Sequence, residues 1–283
     1  CIRDSNSISY FRLSAYARPF YLPDEPEHRF KPNVAFDDIV RLYAFDRSLR
    51  LLLLDAIERI EVALRAQITN TLALHHGPHS WSDPGVFDDR YDHAWLMETI
   101  RKKLDDRNPE TFLAHYREKY DHPKEPPVWM VLEVLSFKEV SVLFSKLRHA
   151  ADKQAISAHF GFPDRLLQSW FRALSDLRNI CAHHGRVWNR EFGSRPMMPK
   201  RPPPDWPDLS RPIEAEGVAH PPESHLAMML VVIETLLRRV NPGSKWRHRF
   251  KDLLDKYPDV PTAPMALEPD WHRHPFWRME EGA

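Results

Sequence analysis

Between Phe36 and Gly77 the chain carries neither proline nor glycine, and this run restricts the fold more than any other stretch. Its apolar residues recur at helical spacing: Ile39, Leu42, Tyr43, Leu49, Leu52, Leu53, Ile57, Ile60, Leu64, Ile68 and Leu72. Asp37 or Asp38 can cap the start. A helix of about 38 residues follows, roughly 57 Å long at 1.5 Å per residue. An element of that length is expected to be the spine on which shorter helices pack. Asp55–Arg59 and Glu61–Arg65 stand i,i+4 with the acid first, the arrangement of surface ion pairs contributing about 0.2–0.5 kcal/mol each. In a second reading, Glu58 or Arg59 turns toward a basic site and positions a phosphate or an arginine. His75 and His76 close the helix before Gly77, where its dipole favours a cationic imidazole and a capping role.

The rest of the chain points to the same class. Its 26 prolines against 8 glycines, with few Val/Ile/Thr clusters, predict an all-α bundle with additional helices and Pro-rich connections. Tyr10–Tyr16 reads as a short aromatic clamp, and Pro23–Pro32 as a linker. Further helices are expected over Asp92–Asp105, Pro109–Tyr120 and Pro127–Arg148, the last bending near Ser136–Phe137. Ala151–Phe160 makes another, ending at Gly161, and the next starts at Asp164. Pro196–Pro222 holds nine prolines in 27 residues, whose fixed φ angles and missing donors exclude regular helix or sheet and predict a strap. Helices resume over Glu223–Val240 and Lys245–Tyr257, and the tail packs back through Trp271, Phe276 and Trp277. The expected division is an N-terminal segment 1–35 packing on the core, a helical core 36–195, the Pro-rich connection 196–222, and C-terminal helices with their tail, 223–283.

Two cysteines, Cys1 and Cys181, cannot make a disulfide framework and nothing resembles a signal peptide, so a reducing cytoplasm is expected. The chain starts at Cys rather than Met and is expected to lack its natural beginning. The longest apolar run, Leu226–Leu237, contains Glu234 and is too short to span a bilayer, so no membrane contact is expected. Lys+Arg and Asp+Glu both total 40, which leaves any polyanion preference to local charge. From Arg172 to Arg201 there are seven basic residues against Asp176 and Glu191, and residues 235 to 251 hold six basic residues and no acid.

The densest chemistry lies in Ser169–Arg190, SWFRALSDLRNICAHHGRVWNR. On a helix, Trp170, Leu174, Leu177, Cys181 and His184 share one side, and Asp176, Asn179 and His183 the other. His183 is then the exposed histidine and His184 turns toward the core. Arg178 stands about 140° from His183, so it must reach around or meet its partner from a second chain. Gly185 fits the left-handed position that ends a helix. An imidazole that exchanges protons near neutral pH, beside a guanidinium suited to a phosphate, fits metal-independent RNA cleavage by the internal 2′-hydroxyl. The structural alternative is a histidine cap with a surface arginine. Arg186 and Arg190 lie just beyond, with Trp188 and Asn189 available to stack or hydrogen-bond. Cys181, His183 and His184 make a poor metal set, because neighbouring side chains on a helix diverge and no CxxC or HExxH motif accompanies them. No metal and no cofactor are expected.

LRNICAHHGRVWNR, residues 177–190, resembles the signature of the Abi-like proteins, the abortive-infection D/F type of phage-defence protein within the HEPN superfamily. YFRLSAY (10–16), LYAFDRSLRLLLLDAIERIEVALRAQI (42–68), PPVWMVLEVLSF (126–137) and GFPDRLLQSWFRALSDLRN (161–179) are similar to the same family in the same order, and DWHRHPFW (270–277) is also similar. The resemblance implies a HEPN-like all-α bundle and a ribonuclease site built between two copies of the chain, a homodimer. It places the motif arginine on Arg178, its polar neighbour on Asn179 and the histidine on His183. It also implies growth arrest on phage infection, with RNA as substrate and a structured RNA as a possible regulator. Lys245, Arg247 and Arg249, interleaved with Trp246 and Phe250, are candidates for that RNA, since cations meet phosphate and aromatics stack on bases. The other function class is a non-catalytic RNA-binding HEPN protein or scaffold, in which the same residues grip phosphate without cleaving.

Overall fold

The computed structural model describes residues 8–22, 27–107 and 109–278. Cys1 and part of the Pro23–Pro32 linker fall outside them. The helices are α1 Tyr10–Ala17, α2 Phe36–His76, α3 His93–Leu104, α4 Thr111–Lys119, α5 Val128–Val134, α6 Phe137–Ser145, α7 Ala150–Phe160, α8 Asp164–Ala182, α9 Leu226–Val240 and α10 Trp246–Lys256. The all-α expectation holds, and α2 is the spine, 41 residues long. It packs against α1, α5, α6, α7, α8, α9 and α10. Leu49, Leu53, Ile57, Ile60, Leu64, Ile68 and Leu72 are fully buried along it, as their spacing requires. The start is capped from within: Asp38 accepts from the Ala35 backbone N–H at 2.8 Å, so it acts in the first turn and Ala35 takes the cap position.

α9 is buried on every side from Leu226 to Leu237 and lies against α2. No helix of the described residues is long and apolar enough to cross a membrane. The aromatic tail closes over α10, with Trp271 and Trp277 against Phe250 and the Arg238 guanidinium 4.3 Å from the centre of the Phe276 ring. A single hydrophobic core thus runs from Leu13 to Trp277.

Three departures from expectation have local causes. Residues Pro127–Arg148 do not form one bent helix. The chain leaves helical geometry at Leu135 (ψ 145°), and Ser136 restarts it with a capping box: its hydroxyl accepts from the Glu139 N–H and the Glu139 carboxylate accepts from the Ser136 N–H. The carbonyls of Leu132 and Leu135 lose their helical partners at this break, and Arg65 of α2 donates to both while pairing with Glu61. The Glu61–Arg65 pair is therefore largely withdrawn from solvent, with Arg65 buried and Glu61 partly so. The Pro-rich stretch does contain sheet: β1 Ile213–Ala215 and β2 Val218–His220 pair antiparallel in the proline-free window, around Glu216 and Gly217 at φ 50° and 75°. Finally, α1 clamps the core through Leu13, Tyr16 and Ala17, with Ala15 partly buried beside them, and Tyr10 and Phe11 stand in solvent.

Replacing Arg65 by alanine strands two buried carbonyls and one carboxylate, with an expected loss of about 2–4 kcal/mol in urea denaturation. Arg65→Lys should recover only part of it, because one ammonium cannot serve three acceptors in the geometry of a guanidinium. A fully stable alanine variant would show that the break is satisfied some other way.

Candidate functional site at the end of α8

The predicted buried stripe of α8 holds for Trp170, Leu174, Leu177 and Cys181 and fails at His184, which is exposed. Helical hydrogen bonding stops at Ala182, His183 caps the end, and His184 takes the left-handed conformation at φ 59°. The Gly185 N–H donates to the Ile180 carbonyl at 2.8 Å and the His184 N–H to the Cys181 carbonyl at 3.0 Å, a Schellman ending. The left-handed residue is thus His184, one position before the expected Gly185. Glycine is needed at 185 for close approach: a Cβ there would stand 3.2 Å from the Ile180 carbonyl oxygen. The left-handed turn swings His184 out of the helical stripe, and both imidazoles face solvent while Cys181 faces the core. Burial pushes the Cys181 thiol up to about 12, so it is neutral at physiological pH. The three do not converge on a metal.

The loop after the helix is fixed by a residue that the spacing argument passed over. Asp46 of α2 is fully buried, and its Oδ1 accepts from the backbone N–H groups of Val187 (3.0 Å) and Trp188 (2.7 Å). Its Oδ2 accepts from the Tyr16 hydroxyl of α1 at 2.6 Å and from the guanidinium of Arg50, which also donates to the Tyr16 oxygen at 3.0 Å. Burial, reinforced by the Asp46 charge, raises the Tyr16 phenol well above its ordinary range and keeps it a donor. Arg186 adds a second tie, donating to the carbonyls of Ala15 (2.5 Å) and Asn189 (3.2 Å), and burial lowers its pKa. Arg12 donates to the His184 carbonyl at 2.8 Å.

The residues singled out from sequence divide into two groups. Asn179 Oδ1 accepts from Arg178 at 3.2 Å, and the Asn179 carbonyl accepts from the His183 N–H at 2.9 Å. No hydrogen bond joins Arg178 to His183. Arg178 lines a cleft against α2 with Leu51, Leu54, Asp55, Glu58 and Glu61. Asp55 is engaged by Arg59 and Arg249, and Glu61 by Arg65, so that among the described residues Glu58 lines that cleft without an ion pair. Arg59 turns to Asp55, the surface pairing expected of it. An adjoining cleft shares Leu51 and Leu54 and is lined by Arg12, Arg47, Arg50 and His184. Sequence reasoning missed Arg12 and Arg47.

Most of the second group is held by the protein instead of standing free. Trp188 is buried, with its indole N–H on the Pro261 carbonyl at 3.0 Å, so it cannot stack on a base. Asn189 is a left-handed turn residue at φ 51°, and Arg190 donates to the Arg186 carbonyl at 3.3 Å. In the basic run of α10, Trp246 and Phe250 are buried and stacked on each other. Arg247 is held by Glu234 and the Phe276 carbonyl and Arg249 by Asp55, while Lys245 is exposed. The aromatic half of the proposed RNA surface is therefore core.

Asp46→Ala leaves the Arg50 cation and two loop N–H groups buried without their acceptor, and should cost about 3–5 kcal/mol in urea denaturation. Asp46→Asn, which keeps one acceptor and loses the charge, should fall between it and the native chain. A loss below about 1 kcal/mol for the alanine variant would show that the loop is held without this carboxylate.

Among the described residues, one group of metal-ligating side chains converges, His75, His76 and Asp152, away from this helix end. No curated protein and no solved structure matches the chain. The family model described as Abi-like protein matches residues 6–189, which takes in α1, the whole of α2 and the loop that Asp46 holds. The chain belongs to the Abi-like protein family, and that membership suggests a role in abortive infection by phage.

Proposed function

We propose that the protein is a metal-independent RNA endonuclease of an abortive-infection system, with its site completed by a second copy of the chain. The observation that carries this reading is the separation at the end of α8: His183 is exposed at the cap, while Arg178 lies in the cleft against α2 without a bond to it. A site needing both groups on one phosphate is satisfied when His183 of one copy meets Arg178 of another. Large apolar side chains left in solvent around these clefts, Tyr10, Phe11 and Leu51, give such a copy something to cover.

In this reading Arg178 binds a phosphate oxygen and stabilises charge on the phosphorane, and Glu58 positions the guanidinium. His183 takes the proton of the 2′-hydroxyl as its oxygen bonds to phosphorus. The bond from phosphorus to the 5′ oxygen breaks, and that oxygen receives a proton from an imidazolium, leaving a 2′,3′-cyclic phosphate and a 5′-hydroxyl. DNA lacks the nucleophile and is inert. Asn179 accepts from the Arg178 guanidinium through its side-chain oxygen, and its backbone carbonyl accepts the helical hydrogen bond of the His183 backbone N–H. Arg12, Arg47, Arg190 and Lys245 are the cations offered to the RNA backbone, and Arg186, Trp188, Asn189, Arg247 and Arg249 serve structure.

His183→Ala and Arg178→Ala should each lower RNA cleavage by about 10²–10⁴-fold with EDTA present, while RNA affinity measured by filter binding is retained. Mixing the two dead variants should restore part of the activity, because each mixed dimer holds one complete site. Undiminished cutting by both variants sinks the catalytic assignment, and absence of rescue in the mixture sinks the shared site. A native chain that binds RNA and never cuts it is the non-catalytic member of the alternative class.

A further inference from the structure

We propose that His75, His76 and Asp152 bind a divalent transition-metal ion of the Zn²⁺ class at the junction between the end of α2 and the first turn of α7. His75 Nδ1 lies 2.7 Å from Asp152 Oδ1 and His76 Nε2 lies 2.7 Å from Asp152 Oδ2, with all three candidate ligand atoms within 4.8 Å of one another. Consecutive residues of a helix project about 100° apart and should not share a ligand. These two do so by using different ring positions, the near nitrogen of His75 and the far nitrogen of His76. The end of the helix at Gly77 leaves both rings free of a following turn.

The surroundings fit a built site. Asp152 is 2% exposed, so its two oxygens face the imidazoles and little water. The His76 ring is stacked on His149, with centroids 5.2 Å apart, which holds its plane. His75 is 44% exposed, which leaves an open side for solvent to complete a tetrahedron. Two imidazole nitrogens and one carboxylate oxygen are a donor set for Zn²⁺, Co²⁺ or Ni²⁺, whereas Ca²⁺ and Mg²⁺ require mostly oxygen. Ligand bonds of about 2.0–2.1 Å would open each nitrogen–oxygen separation to about 3.3 Å. The N–H of each ring then moves to its other nitrogen.

At 1.5 Å per residue His75 stands about 21 Å along α2 from Glu61 in the Arg178 cleft, so the ion joins two helices and is no reactant there. The proposal is independent of the ribonuclease reading. Untagged protein stripped with EDTA and dialysed is titrated with ZnCl₂ by calorimetry and followed by thermal melting. One ion per chain is expected, with a rise in melting temperature that grows with free Zn²⁺. His75→Ala and His76→Ala should weaken binding by at least the about 10–100-fold that loss of an outer partner costs, and abolish the thermal shift. His220→Ala, which breaks the His220–His225 pair elsewhere, should change neither readout. His75 is half-exposed, so its variant should fold even where an Asp152 variant does not, and circular dichroism confirms that it has. No saturable binding by the native chain in excess Zn²⁺, or native affinity in a folded His75→Ala/His76→Ala double variant, overturns the proposal.

Discussion

One buried carboxylate, Asp46, determines whether the end of α8 has a shape at all. It takes hydrogen bonds from the phenol of α1, from a guanidinium one turn along α2, and from two consecutive backbone N–H groups of the loop after α8. Each of those donors is buried, so none has water to fall back on, and the Arg50 charge is neutralised where it sits. The left-handed turn at His184, the closeness of Gly185 to Ile180 and the placement of Trp188 in the core follow from holding Val187 and Trp188 at that point. Arg178 and His183 stand on α8 itself, whose buried face packs on α2 and α6, and the anchored loop follows directly from its end.

The long helix acts as a ruler. Along its length come the Asp46 network, then the Arg178 cleft at Leu51 to Glu61, then Arg65 satisfying the break between α5 and α6, and last the two histidines against α7. Every one of these is a polar function placed on an otherwise apolar packing element, and each is paired or lines a cleft. One continuous helix keeps the spacing of these functions along the chain while the helices around it differ in length.

The architecture was legible because burial imposes a period. The seams of α2 and α8, the all-round apolar α9 and the aromatic tail are all consequences of one-dimensional spacing. Periodicity cannot say which distant backbone meets a side chain, and there the reading fell short. Asp46 did leave a trace, since it occupies the core register of Leu42, Leu49 and Leu53 and has Arg50 at i+4 in the acid-first order. A charge in a core seat with its counter-ion one turn away signals a buried network. Arg65 carries the same trace beside Leu64 and Ile68, although its acid-first i,i+4 spacing from Glu61 is equally that of a surface pair. Trp188, Trp246 and Phe250 are core and not nucleic-acid platforms, because basic neighbours say nothing about the direction of an aromatic ring. The αL conformation of His184 had no sequence signal, since glycine at the next position is the ordinary sign of such an ending. His75 and His76 were read as a helix cap, and their shared carboxylate comes from α7, far along the chain.

The bond from Arg186 to the Ala15 carbonyl joins residues 171 positions apart, and the one from Arg12 to the His184 carbonyl spans 172. Chains are made from the N-terminus at about 5–20 residues per second. The first helix therefore waits, for something on the order of ten seconds or more, before the loop it holds has even been synthesised. Until then Tyr16, Asp46 and Arg50 can associate with one another, but the end of α8 does not exist as a shaped surface. The region carrying His183 thus takes its shape only after every residue from Arg12 to Arg186 has been made, a delay set by connectivity alone.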